Sequence, residues 1–327
     1  MRRRTFLVGI GVGLGWPLVA RAQQQAMPVI GFLGSETPEQ WKERIEAFRA
    51  GIAETGFIEG RTIAIEYLWA EGRNNRLAAM AEEFVRRNVS LIAVLGSTAS
   101  AVAAKNATSS IPIVVRVAVD PSTIGLVSSM SRPGGNLTGW TTLGAQIGPK
   151  QLELMREILP QGSVVGVLTN PTNPLLADRL VVEVPEAARR VGFQPHVVRA
   201  STDADLDAAF AALGAMGARG LVIGADTFFN SRNDRLAQLA QRHRLVAVSA
   251  YREFATAGGL MSYGGSVKEA SRQVGIYAGR LLKGERPGDL PIQQVSKLDL
   301  TVNMKSASEI GVNIPVALLA RAEEVIE

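Results

Sequence analysis

The sequence predicts an α/β protein with two lobes, each built around a parallel sheet and its crossover helices. Apolar, β-branched runs alternate with segments of helical periodicity over residues 27–119, and the same alternation resumes at Ser163. Between them, residues 111–140 start as an apolar run, stop at Asp120, and continue into the turn-forming sequence RPGGN at residues 132–136. The chain has 327 residues, 46% of them hydrophobic, which is enough for about two domains of ordinary size.

Composition excludes several classes of function. The chain contains no cysteine, which excludes disulfides, thiolate metal sites and a cysteine nucleophile. Most of its net charge of +5 comes from residues 1–22, which hold four arginines and no acid, and the remainder has 31 basic residues against 30 acidic ones. A nearly neutral remainder gives no support to nucleic-acid binding.

Residues 1–22 are predicted to be an export signal of the twin-arginine type. The sequence RRTFL at residues 3–7 resembles the twin-arginine signature, and ARA at residues 20–22 forms a small-x-small cleavage pattern. The Gly-rich apolar segment at residues 8–19 is too short for a membrane span, which needs about 20 residues. We therefore expect a periplasmic mature protein that does not span the membrane; the general secretion route is the alternative.

The first lobe is predicted to follow the order β-α-β-α-β-α-β. Apolar or alternating runs predict its strands, and apolar residues at helical spacing predict its helices. A short helix-like segment is expected between Pro121 and the turn at residues 132–136. The predicted strands cover residues 27–34, 61–69, 90–95 and 111–119; the helices are marked by Trp41, Ile45, Phe48 and Ile52, by residues 77–85, and by residues 99–107.

The second lobe repeats the alternation of helices and strands. Its first helix, around residues 152–158, ends at Pro160. The tail after residue 290 is expected to hold an extended run at residues 295–302 and two short helices. The predicted strands cover residues 164–168, 194–199, 220–224, 245–248 and 258–263, and the predicted helices cover residues 174–191, 204–216, 234–243 and 268–282.

Polar side chains follow the strands of both lobes. In open parallel sheets, ligands bind beyond the carboxyl ends of the strands, so the residues just past each strand are candidates for ligand contact. Hydroxyls, amides, carboxylates and a phenol can hydrogen-bond a small polar molecule without transforming it. The candidates are Ser35, Glu36, Ser97, Thr98, Asp120, Asn170, Asp226 and Tyr251.

Most of these candidates also have a structural alternative. Ser97 or Thr98 could bind a ligand carboxylate at the N-terminus of the following helix, or simply cap that helix. Asp120 and Asn170 each precede a proline, a position where both residue types also start turns. Tyr251 could stack on a ligand ring or close the core of the second lobe.

Two further residues are candidates because of their positions. Arg116 is a cation inside an apolar strand, so it either leaves the core at the edge of the sheet, pairs with an acid, or holds an anionic ligand. Trp140 either packs in the core or contacts the ligand. The two histidines, His196 and His243, have no acid constellation near them in sequence, so no metal site and no catalytic triad are predicted.

Residues 23–327 carry no catalytic motif of the common classes. They contain no G-x-S-x-G elbow, no Walker loop and no H-E-x-x-H sequence. Together with export and two facing lobes, this favours a binding protein without a cofactor over an exported hydrolase or transferase. An exported sensory ligand-binding protein is the other alternative.

Short motifs are distributed over most of the chain. They are DP (120–121), GLV (125–127), RPGGN (132–136), TG (138–139), NP (170–171), YREF (251–254), AGGLMSYG (257–264), LKG (282–284), DLP (289–291), IP (314–315) and RA (321–322). These motifs resemble those of the substrate-binding proteins of a bacterial ABC transporter family that includes tryptophan-binding, TrpX-like members. The resemblance covers essentially all of the predicted mature chain.

The resemblance implies a type I periplasmic-binding-protein fold, in which two Rossmann-like lobes joined by three crossings close on a ligand. The crossings would lie near Trp140, Gly258 and Gly288. Lobe 1 would comprise residues 27–140 plus 259–287, and lobe 2 residues 141–258 plus 288–327. The implied function is that of a monomeric receptor that delivers an amino acid or similar small carboxylate to a permease in the inner membrane.

The chain departs from the family pattern at two of its candidates. Arg116 stands where an apolar residue is usual, and Trp140 stands where phenylalanine is common. Both departures argue against carrying over a specific ligand from the family, and Arg116 favours an anionic one.

Overall fold

The structure, a computed structural model, contains two sheets with helices packed on both faces. It describes residues 27–142 and 147–327, so the predicted export signal at residues 1–22 lies outside the described ranges. The first part of the chain alternates strictly between strand and helix until two strands follow each other. Its elements are β1 (Val29–Gly34), α1 (Lys42–Glu54), β2 (Ala64–Trp69), α2 (Leu77–Arg86), β3 (Leu91–Leu95), α3 (Thr98–Ala107), β4 (Ile113–Val117) and β5 (Leu137–Thr141).

The middle of the chain builds most of the second sheet. Its strands have four to six residues, and all but β7 are mostly buried. The elements are α4 (Gly148–Arg156), β6 (Val164–Thr169), α5 (Pro174–Arg190), β7 (Gln194–Arg199), α6 (Asp203–Ala215), β8 (Gly220–Ile223), α7 (Thr227–Asn230), α8 (Asn233–Arg242), β9 (Val246–Ser249) and α9 (Arg252–Thr256).

The last part of the chain contributes to both sheets. The elements are β10 (Met261–Gly265), α10 (Val267–Leu282), β11 (Gln293–Gln294), β12 (Leu298–Asn303), α11 (Met304–Ile310), α12 (Val316–Leu319) and β13 (Glu324–Ile326). The described ranges contain no helix that is both long and apolar enough to cross a membrane.

Strand order defines two lobes. The first sheet has the order β11-β5-β4-β3-β1-β2, and the second has the order β13-β12-β10-β9-β8-β6-β7. All pairings are parallel except that between β10 and β12. Each sheet separates two apolar clusters, one on each face. The predicted α/β fold with two parallel-sheet lobes is therefore confirmed.

Two segments lie in a different sheet from the one that the predicted lobe boundaries imply. The strand at residues 261–265 pairs with β9 and β12 in the second sheet, and β11, within residues 288–327, pairs with β5 in the first sheet. The boundaries were placed at Gly258 and Gly288, but these glycines form turns within a lobe. Gly258 follows the last turn of α9, and the carbonyl of Gly288 accepts from Gly134 N at 3.3 Å. The remaining boundaries stay a prediction.

The segment after β4 forms successive turns and not the helix-like piece expected from the sequence. Asp120 Oδ1 accepts hydrogen bonds from Ser122 N at 2.8 Å and Ser122 Oγ at 2.6 Å, which fixes a turn at the start of the segment. Gly125 then has a φ of +73°, which ends any helical continuation. Local side-chain bonding and a left-handed glycine therefore outcompete helix formation here.

Close packing joins α10 to the first lobe, although β10 belongs to the second sheet. A Cβ on Gly51 of α1 would lie 1.9 Å from Arg272 O, and one on Gly275 would lie 2.1 Å from Phe48 O. The two helices thus touch backbone to backbone. The chain consequently passes between lobes three times: after β5, between β10 and α10, and between β11 and β12.

Candidate functional site

The carboxyl ends of the two sheets face each other, and polar side chains from both lobes meet there. Ser35 Oγ donates to Thr227 Oγ1 at 3.4 Å. Ser231 Oγ donates to Glu36 Oε2 at 3.4 Å, and Arg232 Nη1 lies 3.6 Å from the same oxygen. Ser35 and Glu36 are buried. Direct contacts between the lobes therefore close the cleft at this point.

Glu36 is buried among groups of both charges. Burial raises its pKa above 4.5; Arg232 opposes this effect and Asp226 reinforces it. Both neighbours come from the second lobe, so the protonation of a first-lobe acid depends on how closely the second lobe approaches.

Asp226, Asn170 and Asn173 form a closed hydrogen-bond network, which we call the Asp226 cluster. Asn170 Nδ2 donates to Asp226 Oδ1 at 2.9 Å, and Asn173 Nδ2 donates to Asp226 Oδ2 at 2.8 Å. Asp226 Oδ1 also accepts from Phe228 N at 2.9 Å, which caps α7. All three cluster residues are buried. Two predicted candidates are thus brought together, and the acid already has three donors.

Gly96 leads from β3 into α3 with a φ of +110°. Ser97 Oγ accepts from Ser100 N at 3.1 Å, so Ser97 caps α3, as the structural alternative for this residue requires. Thr98 is the first residue of α3 and is buried. The positive end of α3 therefore points at the cleft from the carboxyl end of β3.

Tyr251 closes the cleft from the second lobe. It follows β9, is 3% exposed, and packs in a small cluster with Ala118, Ile147 and Val267. Burial raises the pKa of Tyr251, while the positive charges of Arg116 and Arg44 lower it. The phenol thus lies within the electrostatic reach of two cations of the first lobe.

The Asp120 side chain forms its hydrogen bonds within its own turn and not with these residues. Its carboxylate accepts from Ser122 within its own turn, and the residue is only partly buried. The structure shows the turn-starting role that the sequence allowed.

Arg116 fits neither of the two structural alternatives predicted from the sequence, which were a position at the edge of the sheet and an ion pair with an acid. It lies on β4 in the interior of the first sheet, in register with Leu95 on one side and Trp140 on the other, so it does not leave the core at an edge. It is 0% exposed and forms no ion pair with any acid of the described ranges. The sequence could not exclude these two alternatives, because it shows neither the strand order nor the neighbours of a side chain; the third alternative, an anionic ligand, stays a prediction.

Trp140 is adjacent to Arg116 and partly buried. Its ring makes an edge contact with Tyr277 at 6.1 Å between centroids, which supports a packing role. Its Nε1 is buried and has no hydrogen-bond partner among the described residues.

Arg44 is a second buried cation, and sequence reasoning missed it. It lies on α1, is 6% exposed, and its guanidinium carbon is 4.9 Å from the centre of the Trp41 ring. Its spacing, three residues after Trp41 and four before Phe48, places it on the apolar face of the helix. That spacing was the signal available in the sequence.

Arg44 and Arg116, which we call the arginine pair, converge on Gly96. A Cβ at this glycine would lie 1.9 Å from Arg116 Nη2 and 3.2 Å from Arg44 Nη1. Burial lowers the pKa of both arginines, and the charge of Arg44 lowers that of Arg116 further. Two positive charges therefore meet beside the N-terminus of α3.

Comparison with known proteins identifies the family. A family model for ABC transporter substrate binding proteins matches residues 38–326. A protein of Clostridioides difficile named tyrosine-binding protein is 26% identical over 259 residues, which cover 79% of this chain and 73% of that protein.

Two solved structures share the fold over most of the chain. A conserved domain protein from Vibrio cholerae has a TM-score of 0.84 at 26% identity, and an ABC domain from Streptococcus pneumoniae in complex with L-Trp has 0.82 at 22% identity. Each match covers 91% of this chain and 99% of the other. The chain belongs to the ABC transporter substrate-binding protein family, whose members are solute receptors and not enzymes.

Proposed function

We propose that this solute-binding protein is exported and captures a small carboxylate-bearing solute, such as an amino acid, between its two lobes. It then delivers the solute, as a monomeric carrier in the periplasm, to a permease in the inner membrane. The observation that carries the proposal is the burial of polar residues from both lobes at the facing ends of the sheets, seen in the contact of Ser35 with Thr227.

Capture proceeds by closure of the lobes about the segments that join them. A solute bound to one lobe gains contacts to the other only in the closed form, so it shifts the population toward closure. The three passages of the chain between the lobes leave or enter neighbouring strands, since β11 pairs with β5 and β12 pairs with β10, so they are suited to act as the hinge. No bond is made or broken in this process.

The proposed contacts come from both lobes. In the first lobe, Ser97 and Thr98 at the positive end of α3 receive a carboxylate of the solute. From the second lobe, Tyr251 covers it. The remaining residues of the proposed set are Ser35, Glu36, Asp120, Asn170, Asp226 and Trp140. The hydrogen bonds within the Asp226 cluster fix the positions of its side chains before a ligand binds.

Aromatic amino acids are the first probes because of the relatives. The Clostridioides protein is named for tyrosine, and the Streptococcus structure holds L-Trp. Thermal unfolding of residues 23–327 is measured with amino acids, aromatic acids and small dicarboxylates. A solute at 100 times its Kd is expected to add about 2.7 kcal/mol of stability. If none of these solutes raised the unfolding midpoint, the proposed capture would be wrong.

Export through the twin-arginine route is the remaining element. The pattern at residues 1–22 supports it. A reporter fused behind residues 1–26 should reach the periplasm, and replacing Arg3 and Arg4 by lysine should stop it. Unchanged export of the lysine variant would assign the general route instead.

A further inference from the structure

The arginine pair consists of two buried cations without a partner of opposite charge. Arg116 is fully buried, and Arg44 is nearly so. Arg116 Nε, Arg116 Nη1 and Arg44 Nη1 have no hydrogen-bond partner among residues 27–142 and 147–327. Arg116 Nη2 reaches Leu95 O only at 3.5 Å. Three donors on two fixed charges are therefore left for a group that the chain does not supply.

Several arginines elsewhere in the chain pair with carboxylates at the surface. Arg272 Nη1 lies 2.7 Å from Glu54 Oε1, and Arg235 Nη2 lies 2.6 Å from Asp207 Oδ1. The arginine pair is buried and yet has no such partner among the described residues, which sets it apart from these surface pairs.

The charges nearest to the arginine pair act only at a distance. Glu253 and Tyr251 from the second lobe, followed by Glu36 and Glu43 of the first lobe, raise the pKa of Arg44; Tyr251 and Glu253 do the same for Arg116. Within the described ranges none of these glutamates forms an ion pair with either arginine. They therefore stabilise the two positive charges from a distance and do not occupy the unpaired donors.

An unpaired buried guanidinium is costly, and a second one beside it adds repulsion. Burial, followed by the charge of Arg44, lowers the pKa of Arg116 to about 9, so the side chain still carries its charge at neutral pH. Both side chains are held in place, one between two strands and the other over Trp41. Charged, fixed and unpaired donors are the arrangement that binds an anion strongly.

We propose that the arginine pair holds a carboxylate of the solute, and that the solute is a small dicarboxylate or an acidic amino acid. This inference rests on the proposed function and specifies its ligand. One carboxylate balances only one of the two charges, so a second acidic group is expected. It would bind at Ser97 and Thr98, where the positive end of α3 begins next to Gly96. A zwitterionic aromatic amino acid would leave the arginine pair unbalanced.

The test compares each acid with its amide of the same shape. The probes are L-glutamate and L-glutamine, succinate and succinamate, glutarate and glutaramate, and terephthalate and its monoamide, measured by calorimetry beside L-Trp and L-Tyr. At least one acid is expected to bind ten or more times as tightly as its amide. Equal binding within every pair would overturn the inference.

Variants of the pair locate the effect. Arg116→Gln and Arg44→Gln should each reduce the preference for the acid over its amide toward one. Arg87→Gln is the control, because Arg87 is an exposed arginine paired with Glu66 and Glu83, and it should leave the preference unchanged. A preference that survives in both pair variants would contradict the assignment to Arg44 and Arg116.

Stability of the unliganded protein gives a second measure. Arg116→Met keeps an unbranched side chain and removes the guanidinium and its charge, so the thermal midpoint without solute should rise while binding of the acid is lost. A lower midpoint or failure to fold would make Arg116 a structural residue and overturn the inference. Binding of L-Trp or L-Tyr without binding of any acid would overturn only this inference, whereas binding of no probe would overturn the proposed function as well.

Discussion

The cleft contains two buried polar groups that differ in whether their hydrogen bonds are complete. The Asp226 cluster, on the second lobe, gives its carboxylate three donors from Asn170, Asn173 and the backbone. The arginine pair, on the first lobe, leaves three donors without an acceptor in the described ranges. A complete network stabilises the fold, whereas an incomplete one is stabilised by a ligand. In the proposed function, the first lobe recognises the charge of the solute and the second lobe provides a rigid opposing wall.

Gly96→Ala should have the largest effect, because Gly96 makes room for the arginine pair. The new Cβ would lie 1.9 Å from Arg116 Nη2 at a φ of +110°, so clash and backbone strain add. We expect a loss of about 3 kcal/mol in the free energy of urea unfolding. Gly125→Ala is the control: its φ is +73° but nothing lies within 4 Å, so it should lose only about 1 kcal/mol. Equal losses in both would mean that the crowding at Gly96 is unimportant.

Asp226→Ala tests whether the Asp226 cluster stabilises the unliganded fold, in contrast to the arginine pair, which is expected to destabilise it. It leaves the amides of Asn170 and Asn173 buried without their acceptor and removes the cap of α7. We expect a loss of about 2 kcal/mol, in contrast to the gain expected for Arg116→Met. Asp207→Ala, which breaks an exposed pair with Arg235, should lose less than about 1 kcal/mol. A neutral Asp226→Ala would remove the distinction between the two groups.

Alkaline pH should weaken anion binding through Arg116. Its pKa in the folded protein is about 9, well below the ordinary value of an arginine, so above pH 9 the folded state releases a proton that the unfolded state keeps. The cost of burying the charge is full below pH 9 and is relieved above it, which makes the unliganded protein more stable as pH rises. Affinity for an acid should fall by up to about tenfold per pH unit above 9, because binding needs the proton.

The control for this pH dependence is Arg116→Gln, which is expected to keep weaker binding of the acid. Arg44, Tyr251 and Glu253 face Arg116 and are all retained in the variant, so the difference between the two proteins isolates Arg116. Titrations from pH 7 to 10 by calorimetry measure it. The same pH dependence in the variant would assign the proton to another of these groups.

Replacing Ser97 and Thr98 by alanine should have the smallest effect on stability and a separate effect on binding. Loss of the Ser97 cap on α3 costs about 1 kcal/mol of unfolding free energy. Ser266→Ala removes the corresponding cap on α10, where Ser266 Oγ accepts from Glu269 N at 3.1 Å, and should cost a similar amount. Only the first variant should weaken solute binding. If both leave the affinity unchanged, the first turn of α3 is not part of the site.

Much of the fold could be predicted from local pattern. The strand at Gln194–Arg199 and the helix starting at Pro174 match the structure because each is long enough for its period to be unambiguous. The helix-like segment predicted after Asp120 was wrong, because side-chain hydrogen bonds within the turn override weak helical spacing. The prediction that residues 261–265 belong to the first lobe was also wrong, because an apolar run carries no information on which strands it pairs with.

The candidate site was predictable as a location and less so as a chemistry. The rule that ligands bind beyond strand ends led to Ser97, Asp226 and Tyr251, all of which the structure places at the facing edges of the lobes. It could not show that the Asp226 carboxylate has three donors while Arg116 has no ion pair among the described residues, because both depend on residues far away in the sequence.

By itself the sequence determined the two α/β lobes, the family and the polar residues that follow the strands, since these depend on periodicity and short motifs. The tertiary structure alone decided that Arg44 and Arg116 meet at Gly96, because one lies on a helix and the other on a strand, 72 residues apart in the sequence. Residues so distant become neighbours only when the sheet packs against α1. Because both guanidinium groups are then buried, the lack of a counter-charge among the described residues costs free energy.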